Sequence, residues 1–165
     1  MGQIRRLMHF GISVSDLRRS VRFYRDALGF TPVSKLRVEG FPTTIMFEVE
    51  EMELECVFLE RDGFRIELMS FPKPGSVGDG EVTPWRQRGL AHFACSVEDL
   101  EATRKAIVEY GGTILEHTYV ENDDPQFESK VLCAACPDGV RIELVESRLL
   151  DPADPLGEPV ELGEF

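Results

Sequence analysis

Long apolar runs are missing from this chain. No stretch approaches the roughly 18 to 20 consecutive apolar residues that a membrane-spanning helix needs. The opening MGQIRRLMHF carries two arginines but no apolar core of the kind a secretory signal has. Position 6 is Arg where a myristoylation signal beginning at Gly2 has Ser or Thr. The expectation is a cytoplasmic protein with no membrane partner. Basic residues are scarce as well: 18 Lys and Arg stand against 30 Asp and Glu, a formal charge of −12. A polyphosphate ligand requires a basic surface, so nucleic acid is excluded as a partner.

Cysteine is limited to Cys56, Cys95, Cys133 and Cys136. Cys133-Ala-Ala-Cys136 has CxxC spacing, but a redox CxxC depends on a helix N-terminus to lower one thiol pKa, and a zinc knuckle needs a second pair. The motif lies in KVLCAAC, which reads as a strand, and no second pair exists. The cysteines therefore read as small buried hydrophobes.

What the chain does contain is a repeat. HFGISVSDL (9–17) returns as HFACSVEDL (92–100), and DGFRIEL (62–68) returns as DGVRIEL (138–144). The order of landmarks is the same in both halves, with the first half longer by a surplus expected within FPTTIMFEVEEMELECVFLERDG. Each half opens with an alternating strand: Met8, Phe10, Ile12 and Val14, then Ala91, Phe93, Cys95 and Val97. Asp16 and Asp99 stand where helix N-caps belong. Leu17, Val21, Tyr24 and Leu28 share one face of the first helix; Leu100, Thr103, Ile107 and Tyr110 do so in the second. Gly29 and Gly111-Gly112 close these helices, and β-rich segments follow, so each half reads β-α-β-β-β. The boundaries are a first module at 5–71, a Pro/Gly-rich linker at 72–88, a second module at 89–147 and an acidic, proline-rich tail at 148–165. At 165 residues the chain suits one compact domain or two small modules sharing a core.

Side chains alternate across a strand, so parity decides which residues share a face. The even positions of the first strand are apolar and should pack on the helix, which leaves His9 on the other face with Gly11 and Ser13. His92 likewise shares a face with Ala94 and Ser96. Phe64, Ile66 and Leu68 oppose Glu67, and Val140, Ile142 and Leu144 oppose Glu143. All four polar residues project away from the helices, beside small neighbours that leave room for a ligand. Two imidazoles and two carboxylates in one enclosure suit a divalent metal, because neutral His offers a nitrogen lone pair and the carboxylates balance the charge. Taken singly, a strand His is more often a satisfied polar residue and a strand Glu a solvated one. Recurrence at matched positions is what favours the metal. His117 has no counterpart in the first half and reads as a surface or rim residue. Arg65 and Arg141 share the ligand face, where they orient carboxylates or are ordinary strand-end charges.

These motifs are similar to those of the vicinal oxygen chelate superfamily, which includes glyoxalase I, methylmalonyl-CoA epimerase, extradiol dioxygenases and the fosfomycin- and bleomycin-resistance proteins. The resemblance covers residues 5–147 and rests on His9, on DLRRSVRFYRDALGF as the "DL…FY…LG" helix, on His92 and on DGVRIEL. It implies an α+β fold of paired βαβββ modules, a cupped and mostly antiparallel sheet around a metal cavity. It also implies His9, Glu67, His92 and Glu143 as ligands of a divalent ion (Zn, Ni, Co, Mn or Fe). Extradiol dioxygenases and fosfomycin-resistance enzymes typically use two His and one Glu, so the fuller set looks most like glyoxalase I. Where the glyoxalases carry an Arg four residues after the first His, this chain has Ser13, which points to another 2-oxo or thioester substrate.

The implied function is a metal-dependent lyase or isomerase that abstracts a proton next to a carbonyl, with Glu143 as the base and Glu67 serving the opposite side. Its substrate is a 2-oxo compound, thiohemiacetal or acyl thioester. Alternatives are an Fe(II) ring-cleaving dioxygenase, or a drug-binding protein of the bleomycin-resistance type, which the acidic charge also fits. A homodimer is expected, and the sequence leaves open whether modules pair within one chain or between two.

Overall fold

The computed structural model describes residues 3–40, 43–123 and 128–147; the tail expected at 148–165 lies outside them. The first module runs β1 (Phe10–Ser13), α1 (Leu17–Asp26), β2 (Thr31–Glu39), α2 (Thr43–Phe47), β3 (Glu53–Arg61) and β4 (Phe64–Lys73). The second runs β5 (Phe93–Ser96), α3 (Leu100–Glu109), β6 (Thr113–Asn122), β7 (Ser129–Ala135) and β8 (Arg141–Glu146). Each module makes one four-stranded sheet of identical topology, β1-β4-β3-β2 and β5-β8-β7-β6. The opening strand pairs in parallel with the last strand of its module, and the other pairings are antiparallel. This is the α+β arrangement of two βαβββ modules that the repeat implies.

Both helices start where the sequence places their caps. Asp16 accepts a hydrogen bond from the Arg19 amide at 3.0 Å and Asp99 from the Ala102 amide at 2.8 Å, each satisfying one of the orphan N–H groups of a first turn. On α1 the residues most fully buried are Ser20, Phe23 and Tyr24, at i, i+3 and i+4. Gly112 shows how closely this helix approaches the second module, since a Cβ there would lie 2.6 Å from Phe23 Cε2 and 2.8 Å from the Ala135 carbonyl oxygen.

The apolar faces of the two sheets and both helices build one shared core. Phe23, Tyr24, Leu59 and Leu68 of the first module join Ile107, Leu132, Ala134, Ile142 and Leu144 of the second. Tyr24 reaches Phe93 of β5 with ring centroids 6.4 Å apart. The modules therefore stand with their helix-bearing sides joined, and the opposite face of each sheet looks away from that core.

Two local expectations need correction. The stretch TIMFEVEEMELECVFLE, which falls among the β-rich segments expected after the first helix, begins with the short helix α2 and reaches strand only at Glu53. Short apolar runs do not separate strand from helix by periodicity, and packing decides here: Phe47 and Val49 lie against a second cluster formed by Met52, Leu54 and Cys56. No counterpart of α2 lies among the described residues of the second module. The first strand also begins at Phe10 rather than Met8, and although Ile12 and Val14 are buried, Met8 and Phe10 are exposed. Their even parity puts them on the helix face, but the helix does not extend over the start of the strand. The cysteines are free, with Cys56, Cys133 and Cys136 buried as small hydrophobes.

Candidate metal site

Strand register carries the site. β1 lies beside β4 with Gly11 opposite Glu67, and β5 beside β8 with Ala94 opposite Glu143, so each histidine, two residues earlier, flanks the strand bearing its glutamate. His9 Nε2 stands 3.0 Å from Glu67 Oε2, and His92 Nε2 stands 3.0 Å from Glu143 Oε2. The two modules thus hold the same pair at the same separation.

The pairs do not meet within one chain. Among the described residues no group of three or more His, Cys, Asp or Glu side chains is placed to hold one ion. The expectation that all four enter a single enclosure is therefore not realised inside the monomer. The cause is the shared core: joining the helix sides turns outward the faces that carry the two histidine–glutamate pairs. The small neighbours do not all leave space either, because Met69 Cε would lie 2.8 Å from a Cβ at Gly11.

The donor chemistry nevertheless fits a divalent ion. Two donors bonded at about 2.1 Å to one six-coordinate ion and at right angles to each other stand about 3.0 Å apart. Each module presents one imidazole nitrogen and one carboxylate oxygen at that separation.

The surroundings of the two pairs differ. In the first module, Phe58 of β3 is opposite Glu67 and meets the His9 ring edge-on, with centroids 5.3 Å apart. Cys56, two residues earlier on that face, lies beside Glu67; burial first, and this carboxylate second, push its thiol up to about 12. In the second module, Cys133 is opposite Glu143, and the linker crosses the sheet. Gly139 packs so tightly under that linker that a Cβ would lie 2.3 Å from the Gly80 carbonyl oxygen. Trp85 follows, its ring centroid 4.8 Å from that of His92 and 4.6 Å from the Arg141 guanidinium carbon. His92 Nδ1 is buried without a hydrogen-bond partner among the described residues.

Of the remaining candidates, Arg65 is paired with Glu60, Arg141 is buried and bonds the Thr83 carbonyl, and His117 lies exposed on β6. Sequence reasoning missed Cys56, Phe58 and Trp85. Strand parity from a correctly placed β3 would have found the first two; Trp85 sits in a linker, where no periodicity points to a site. A groove of about 550 Å³ lined by Gly29, Thr31, Glu60 and Arg61 contains none of the four ligand candidates.

Two βαβββ modules, each with an imidazole–carboxylate pair on the face opposite its helix, define a protein of the vicinal oxygen chelate class. The chain belongs to the Glyoxalase/Bleomycin resistance protein/Dioxygenase superfamily, whose family model matches residues 6–144. No curated protein sequence matches it significantly. Among solved structures it is similar to a glyoxalase family protein from Bacillus cereus, at 19% identity and a TM-score of 0.74, covering 88% of this chain and 95% of that one. It is also similar to the trypanothione-dependent glyoxalase I of Leishmania major (24%, TM-score 0.57, 87% of each chain). A third is the fosfomycin resistance protein FosX of Listeria monocytogenes (14%, TM-score 0.54, 89% and 97%).

Proposed function

We propose that this protein is a metal-dependent lyase or isomerase of the glyoxalase I type, acting on a 2-oxo compound, thiohemiacetal or acyl thioester. The site would form between the first module of one protomer and the second module of its partner. The supporting observation is the pair of matched Nε2–Oε2 separations of 3.0 Å, each half holding two donors on an outward face. Two donors are too few to retain a divalent ion, and a two-fold dimer would supply the other two twice over. Exposed apolar residues close in sequence to the histidines, Leu7 at 81% and Leu90 at 68%, give such a dimer something to cover.

His9, Glu67, His92 and Glu143 would hold the ion. When bound, it supplies a Lewis acid for the negative charge that develops on a substrate oxygen. The chain's own part is proton transfer: Glu143 takes the proton from the carbon beside the carbonyl and returns it to the neighbouring carbon or the opposite face. Glu67, with the Cys56 thiol beside its carboxylate, faces that chemistry from the other side. A second carboxylate of this kind is what separates this reading from ring-cleaving dioxygenase chemistry, and the retained donors separate it from a drug-binding role.

Elemental analysis of purified protein reconstituted with Ni²⁺ or Zn²⁺ is the direct test. About one ion per chain is expected, with loss in His92→Ala and Glu143→Gln. Deuterium uptake from solvent into thiohemiacetal or acyl-CoA probes tests the proton transfer. A chain that takes up no ion would end this reading, and oxygen consumption with catechols would replace it by the dioxygenase one.

A further inference from the structure

The two modules treat their equivalent arginines differently. Arg65 and Arg141 each precede the ligand glutamate by two residues, on the same face of the closing strand. Arg65 is neutralised by Glu60. Arg141 has no ion pair among the described residues although it is only 7% exposed. Its Nη2 donates to the Thr83 carbonyl at 3.0 Å, its guanidinium lies over the Trp85 ring, and its Nε is buried with no partner among the described residues. A guanidinium taken out of water without a carboxylate is an unfavourable arrangement in the free chain, because a carbonyl and a ring face replace only part of its hydration. It is also a preformed cation with donors in a planar fork, which suits a carboxylate or phosphate.

Trp85 ties this cation to the ligand pair, since the same ring touches His92. Residues two apart on a strand are about 7 Å apart, so a small molecule bound at His92 and Glu143 reaches Arg141 through a few carbon atoms, along the indole face. We propose that Arg141, with Trp85 as its wall, is an anion subsite that selects substrates carrying a carboxylate or phosphate a few atoms from the oxygens bound at the ligand pair. This inference rests on the proposed function for the position of the reacting end, and it supplies the substrate feature that Ser13, standing where an arginine was expected, does not.

Trp85 is the chain's single tryptophan, so its emission reports on both halves of the argument. Metal-free protein is titrated with acetate and with inorganic phosphate at constant ionic strength, with chloride as the reference. A saturable change in emission is expected with at least one of them, and which one identifies the anion. Arg141→Gln should shift its midpoint at least tenfold upward, Arg141→Lys should fall between, and Arg65→Gln should match wild type. No response, or one unchanged in both Arg141 variants, overturns the subsite; the lysine variant decides if the glutamine variant does not fold. Co²⁺ is titrated separately, where quenching lost in His92→Ala reports on the metal pair. Quenching by Co²⁺ without an anion response defeats the subsite alone, and an anion response without quenching defeats the metal reading alone.

Discussion

The Asp138 side chain accepts hydrogen bonds from the Ser15 amide at 2.9 Å, the Ser15 hydroxyl at 2.6 Å, the Ser20 hydroxyl at 2.6 Å and Arg19 Nη2 at 3.0 Å. It belongs to the β7–β8 turn of one module and all its partners to the start of α1 in the other, so it joins the two. Its repeat equivalent, Asp62, is exposed and among the described residues bonds only its neighbour Arg61. Burial acts to raise the Asp138 pKa, but the hydrogen bonds from Ser15 and Ser20 and the Arg19 charge outweigh it and hold the carboxyl below its ordinary value. A folded pKa below the unfolded one means stability that is complete above about pH 4 and lost as pH falls through the folded value. Urea unfolding at pH 7 should show Asp138→Ala less stable by about 2–4 kcal/mol, because Ser20 and Arg19 lose their partner. The gap between wild type and Asp138→Asn should narrow as pH drops below about 4. Cys56 makes a second prediction at this scale. With its thiol pushed up to about 12, almost no thiolate exists at pH 8, and mass spectrometry after iodoacetamide should find Cys56 unmodified in folded protein.

At the scale of elements, the linker is the piece whose importance exceeds its appearance. Gly139 has φ +81° and no room for a Cβ beneath Gly80 and Glu81, so both backbone conformation and contact call for glycine there. Gly139→Ala should lift the linker from the β7–β8 turn and take Trp85 away from His92; the expected readout is a red-shifted emission with stability lower by about 1–3 kcal/mol. Element legibility was uneven for a physical reason. Caps and amphipathic helices are local, and Asp16, Asp99 and the Phe23–Tyr24 face follow from residues within two turns of each other. The helix α2 and the course of residues 79–85 depend on what they lie against, and no local pattern encodes that.

At the scale of the whole molecule, the decisive feature is that the apolar faces meet and the faces carrying the histidine–glutamate pairs do not. If sites form between protomers, a His9→Ala chain and a His92→Ala chain can complement each other. Random reassociation of equal amounts should recover about one quarter of wild-type metal content, since half of the dimers then contain one intact site of two. A site confined to one chain would recover none, and elemental analysis of the mixture separates the cases. Sedimentation at rising concentration should show the dimer directly.

The repeated HF…SV.DL and DG.RIEL segments determined, without any coordinates, that there are two βαβββ modules and that His9, Glu67, His92 and Glu143 lie on faces opposite the helices. Strand parity and helix capping act over a few residues, so the order of side chains is sufficient to read them. Only the tertiary structure decided that the four residues form two separate pairs, that Arg65 is neutralised while Arg141 has no ion pair among the described residues, and that the linker brings Trp85 against His92. Those outcomes depend on how two nearly identical modules pack on each other and on what crosses between them, and the repeat, being the same in both halves, carries no information about either.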